Sequence, residues 1–156
     1  MPTFQLMGIA AEPFAPLFQL SDAALEEFGA VRRFATESPG FPCRVSLEDA
    51  AIGEELLLLP FEHQPAASPY RASGPIYVRR GAKQRKLAAG EIPPYVSQRL
   101  MSVRAYDAAH MMISAAVCEG AVLADELARH FSNAAAAYIH LHNAKQGCFS
   151  CVVNRA

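Results

Sequence analysis

Apolar and polar residues alternate over several short windows of this chain and follow a helical stripe in only one clear segment. Residues 100–107 put Met101, Val103 and Ala105 on one face and Ser102, Arg104 and Tyr106 on the other, the period-two pattern of a half-buried strand. Residues 42–47 repeat it, with Cys43, Val45 and Leu47 against Arg44 and Ser46. Four consecutive leucines within 55–61 predict a strand covered on both faces, lying under helices. Further strands are predicted over 4–9, 30–36, 76–80, 111–117 (the weakest), 137–142 and 148–154. The helical stripe is Leu123, Leu127 and Phe131 within 121–131. A short helix over 22–28 has Ser21 as N-cap and Gly29 as its stop, and 13–20 reads as a helical turn between prolines. Prolines and glycines make 62–74 and 87–94 loops. Strands outnumber helices and come in runs. This predicts one α+β domain over 1–156, a mainly antiparallel sheet with two or three helices and a C-terminal β-hairpin.

The hairpin carries the best candidate chemistry. Residues 143–147 read as its five-residue loop, with Gly147 at a positive φ. His142 is then expected opposite Cys148, His140 opposite Ser150 and Tyr138 opposite Val152. Ile139, Leu141, Phe149, Cys151 and Val153 make up a wholly apolar second face. Three readings of the resulting His140–His142–Cys148–Ser150 face stay open. Cys148 is a nucleophile, with His142 or His140 taking its proton or stabilising its anion. Alternatively His140, His142 and Cys148 ligate a metal, helped by His63 or Cys43. In the third reading the histidines line a half-exposed sheet and the thiols are small apolar fillers. The pair Cys148 and Cys151 is a weak metal motif, because residues three apart in a strand face opposite ways.

Arginine extends the picture. Arg44 and Arg104 lie on polar strand faces and Arg71 in the 69–75 loop, where planar guanidinium groups suit an anionic ligand. Ser150 and Asn143 are the neighbouring polar groups counted with them as candidate ligand-binding residues. The ordinary alternative is solvated arginines paired with carboxylates. Glu62 and Asp107 are the only acidic residues near these features, which gives a two-carboxylate hydrolase little support. GxSxG, GxGxxG, Walker and HExxH patterns are absent.

Composition trims the partners. With 156 residues, 52% hydrophobic and net charge −1, the chain has the makings of a real core and no global field for nucleic acid. The basic run 79–86 lacks the interleaved aromatics of a single-strand binder. No apolar stretch approaches the roughly 20 residues of a membrane span. The N-terminal residues lack the positive region of a signal peptide. The expectation is a cytoplasmic protein with four reduced thiols, Cys43, Cys118, Cys148 and Cys151.

Blocks along the chain then suggest a family. They are residues 39–50 (Pro-Gly-Phe-Pro-Cys-Arg-Val-Ser-Leu-Glu-Asp-Ala), 62–65 and 69–76, Val103-Arg104-Ala105-Tyr106-Asp107, and His140-Leu141-His142-Asn143 with Gly147-Cys148. Together they resemble a bacterial family of uncharacterised proteins catalogued as domain of unknown function, number 1203. The resemblance spans essentially the whole chain and implies a stand-alone bacterial protein. It implies no activity, cofactor or catalytic residue. The functional expectation therefore rests on the residues: a site for a small anionic molecule on a polar sheet face, built from His140, His142, Cys148 and the arginines. A thiol-dependent enzyme, a ligand-binding module and an interaction protein using that face or the Phe14–Phe18 end all remain compatible.

Overall fold

A computed structural model describes residues 3–156. In chain order the elements are β1 (Phe4–Met7), a 3-10 turn (Ala15–Gln19), α1 (Asp22–Glu26), β2 (Val31–Phe34), β3 (Pro42–Cys43) and β4 (Glu48–Asp49). Then come β5 (Glu55–Gln64), β6 (Ala72–Arg79), α2 (Pro94–Ser97), β7 (Leu100–Tyr106) and β8 (Met112–Glu119). A 3-10 turn (Gly120–Val122), α3 (Leu123–Phe131), β9 (Tyr138–Asn143) and β10 (Phe149–Arg155) complete the chain. They form two five-stranded sheets, ordered β1-β10-β9-β7-β8 and β2-β5-β6-β3-β4. Every pairing is antiparallel except β3 with β6. The α+β class, the antiparallel bias and the terminal hairpin are as the sequence predicts.

The first sheet separates its faces cleanly. Leu123, Leu127 and Phe131 of α3 share a core with Met101, Val103, Ile139, Leu141, Cys151 and Val153. The second core joins the sheets, as Phe149 and Val152 of β10 meet Leu57, Leu59 and Phe61 of β5 together with Phe14, Phe18 and Leu25. The turn at Ala15–Gln19 and α1 cover Leu57 and Leu59, but on the other face Leu56 packs with Ala35 and Ala50 while Leu58 stays half-buried, so the run is not covered on both faces as expected. Ser21 Oγ accepts the Ala24 N–H at 3.1 Å and caps α1.

Two elements differ from the alternation pattern. Residues 42–47 are no strand: β3 ends at Cys43, a tight turn follows with Leu47 at φ 53°, and β4 returns. Arg44 therefore sits in a turn and is buried inside the molecule, not on a solvated strand face. Residues 62–74 are no simple loop either, because β5 runs on to Gln64 and β6 begins at Ala72. Pro60 lies opposite Pro75, so the two missing N–H groups fall at one rung of the ladder.

One close approach supports the Arg44 turn. Gly8 donates to the Arg85 carbonyl at 2.8 Å and Ile9 donates to the Arg44 carbonyl at 3.0 Å. A Cβ on Gly8 would collide with the Val45 carbonyl. Gly8→Ala is expected to lower stability by about 2–3 kcal/mol, the cost of forcing a methyl into packed backbone. Urea denaturation checks it, and an unchanged midpoint would mean the junction yields freely.

Candidate functional site

The terminal hairpin forms, with Gly147 at φ 78°, but its register carries a bulge. Phe149 pairs with His142, and after the irregularity Cys151 pairs with Leu141 and Val152 with His140. Tyr138 faces Asn154. The expected pairings His142–Cys148, His140–Ser150 and Tyr138–Val152 are therefore corrected. Ser150 is the extra residue of the bulge, which shifts the strand without turning Cys151 and Val153 off the core face. The expected apolar face loses only Phe149, which moves among the histidines: its ring is 5.3 Å from that of His140 and 5.8 Å from that of His142.

Cys148 goes the other way. The Asn143 N–H donates to its carbonyl at 2.9 Å, and Asn143 Nδ2 lies 3.6 Å from its Sγ. Asn143 and His142 are successive strand residues and face opposite sides. Cys148 thus shares a side with Asn143, and His140 and His142 occupy the other. The hairpin carries two clusters where the pattern predicted one. Among the described residues no three His, Cys, Asp or Glu side chains converge to hold a metal ion, so the set His140, His142 and Cys148 is not assembled.

The sulfur cluster is built around Arg44, which is 2% exposed. Its Nε donates to the Phe149 carbonyl at 2.8 Å, Nη1 to the Pro42 carbonyl at 2.7 Å and Nη2 to Cys148 Sγ at 3.1 Å. No carboxylate among the described residues pairs with it. A buried charge without a counter-ion is costly. Of its three partners, only sulfur can carry negative charge. Asn143, 4% exposed, leaves Oδ1 buried without a partner and lines a cleft of about 410 Å³ with Gln98, Arg99, Glu119, Lys145 and Gln146. Asp49 grips Arg99 through both oxygens, at 2.9 and 2.5 Å, and raises the pKa of its guanidinium. Cys148 is half-buried, whereas Cys43 and Cys151 are buried. Burial pushes the Cys151 thiol up to about 12. Cys118, the other half-buried thiol, is raised by burial and by the charges of Glu126 and Glu119.

The histidine cluster lies where β9 meets the end of β5. His63, at the end of β5, stacks on Phe149 with 5.4 Å between centroids and an interplanar angle of 11°. Its ring centroid lies 4.9 Å from that of His142 and 6.3 Å from that of His140. Burial first, then His142, His63 and Arg104, pull His140 down to about 3. Burial likewise pulls His142 to about 4, against the Gly147 carbonyl that accepts its Nδ1–H at 2.9 Å. Arg104 Nη1 is 3.5 Å from His142 Nε2 and its Nε donates to Ser102 Oγ at 3.1 Å.

Two candidates join neither cluster. Arg71 pairs with Glu62 at 3.0 Å on the surface. Ser150 is wholly buried; its carbonyl accepts Tyr95 Oη at 3.0 Å, and its hydroxyl has no partner. Arg99, Gln98 and Gln146 were not singled out in the sequence. They reach the cleft through α2 and the hairpin loop, a contact no local pattern announces.

Residues 40–155 match the model of a family described as protein of unknown function (DUF1203). The chain belongs to that family. The resemblance of its sequence blocks is therefore correct, and four of the blocks place Arg44, Asn143 and Cys148 together and His63, His140 and Arg104 near one another. No curated protein and no solved structure matches the chain.

Proposed function

We propose that Cys148 is the nucleophile of a thiol-dependent site that acts on small anionic molecules entering the 410 Å³ cleft. The observation that carries this reading is Arg44, a buried guanidinium with no carboxylate partner and one donor on the half-buried sulfur. Arg44 would stabilise the negative charge that the sulfur acquires when its proton leaves. The histidines face away, so that proton passes to water. Asn143 links the cleft to the sulfur, since it lines the one and its Nδ2 lies 3.6 Å from the other, and Arg99 and Lys145 outnumber Glu119 on the cleft wall, which suits an anion.

Two observations bear on partners and place. Arg79, Arg80 and Arg85 of the basic run pair with Glu54, Glu55 and Glu91, which argues against a phosphate-backbone stripe. No helix among the described residues is long and apolar enough to cross a membrane, and the four free thiols suit a reducing cytoplasm.

Charge-selective alkylation tests the anion preference. Each reagent forms an S–C bond at Sγ as iodide leaves with the bonding pair and the thiol proton goes to solvent. At Cys148 iodoacetate should gain on neutral iodoacetamide by about fivefold relative to the same ratio at Cys118, the effect of roughly 1 kcal/mol of local field. The preference should shrink at high salt. Equal ratios at the two cysteines would remove the anion from the proposal.

A further inference from the structure

A second cavity lies on the histidine side. It measures about 490 Å³ and is lined by His63, Gln64, His110, Tyr138, His140 and Val152, with no charged side chain on its walls. Its polar groups divide into two sets. Tyr138 Oη is already engaged, by Gln64 Nε2 at 3.0 Å and by His110 Nδ1 at 2.7 Å. His110 reaches it from a left-handed backbone, φ 63°, held by a turn in which its N–H donates to the Asp107 carbonyl at 3.0 Å. A non-glycine residue in that conformation is strained, and such strain collects at functional sites. His63 and His140 form the other set. Among the described residues neither ring hydrogen-bonds a protein group, and Nδ1 of each is buried without a partner. His140 is 4% exposed. Two buried ring nitrogens without partners on one cavity wall, on the buried His140 and the half-buried His63, are an unusual expense, since buried polar groups are almost always bonded.

The surroundings select the occupant. Arg104 brings its positive charge close to His63, His140 and His142, which opposes a metal cation. The absence of a charged wall leaves an anion nothing to pair with inside the cavity. What the wall offers is aromatic faces, the apolar Val152, and the imidazoles of His63 and His140, which burial shifts toward the neutral form that has one N–H to donate and one nitrogen to accept. A pocket of this size that is mostly ring and aliphatic surface, with a few unmet polar groups, is built for a small organic ligand.

We propose that this cavity binds an uncharged aromatic heterocycle, stacked within the ring-lined wall and hydrogen-bonded along its edge by His63 and His140. A ring bearing adjacent donor and acceptor positions satisfies both imidazoles at once. The site is separate from the cleft that Asn143 lines and does not depend on the thiol chemistry proposed for Cys148.

Adenine alone is the probe, titrated into protein carrying 15N in its histidine rings and followed by NMR. The ring nitrogens of His63 and His140 should shift saturably, while those of His130 on α3 stay unmoved. His63→Phe should weaken binding by about tenfold, the loss of one buried hydrogen bond. Cys148→Ser should leave adenine binding unchanged, which separates this site from the thiol chemistry proposed above. His63→Asn is the second variant if the phenylalanine does not fold. Three results would overturn the proposal: no ring shift up to the solubility of adenine, a response to zinc chloride alone, or a response to inorganic phosphate alone.

Discussion

Replacing Arg44 with leucine should cost the fold about 2–4 kcal/mol, because two buried carbonyls lose their only charged donor and each unmet group costs roughly 1–3 kcal/mol. The carbonyls belong to Pro42 in one sheet and Phe149 in the other, so the guanidinium ties the sheets together. The same substitution strips the sulfur of its 3.1 Å cationic donor. Two readouts should therefore fall together: the urea midpoint and the labelling rate of Cys148. Arg44→Lys restores the charge without the planar fork and should recover part of the labelling but little of the stability. A variant as stable as the parent, with Cys148 labelled as before, would mean the buried guanidinium has no role.

Stability should also drop steeply on mild acidification. His140 and His142 titrate near 6.5 when unfolded but are held at about 3 and about 4 in the fold. Above pH 6.5 both states leave them neutral and nothing is lost. Below it the unfolded chain takes up protons that the folded chain refuses, so stability falls with pH until the folded values are reached. Each group contributes a slope of about 1.4 kcal/mol per pH unit, and the pair close to 3 near pH 5. Burial lowers His63 and His130 as well, which adds in the same direction. Urea midpoints at pH 7.5, 6 and 5 should show it, and His140→Gln should reduce the slope by about half of the pair's share. A flat profile over that interval would show that the two rings are protonated without penalty in the fold.

The strand pattern was readable because period-two alternation reflects a core on one side only. It gave β7 and its face assignment closely, and it kept Ile139, Leu141, Cys151 and Val153 on the core side. It misread 42–47 because a tight turn that buries every side chain can alternate by accident. The bulge was invisible: one extra residue at Ser150 leaves the downstream parity intact while it sends Phe149 to the histidines and Cys148 to Asn143. Arg44, Cys148 and Asn143 were all recognisable as chemistry. Their grouping was not, since Arg44 lies 104 residues from its sulfur and reaches it across the sheet boundary. His63 was recognisable as a possible ligand, but its place on a strand was hidden, as prolines disguised the last part of β5 as loop.

The central claim is that Arg44 makes Cys148 the reactive thiol of this protein. Brief labelling of the native chain with iodoacetamide at pH 7, read peptide by peptide in a mass spectrometer, tests it most directly. The account predicts the order Cys148 well ahead of Cys118, with buried Cys43 and Cys151 unlabelled until the chain unfolds. Cys118 labelled as fast as Cys148, or faster, would contradict it.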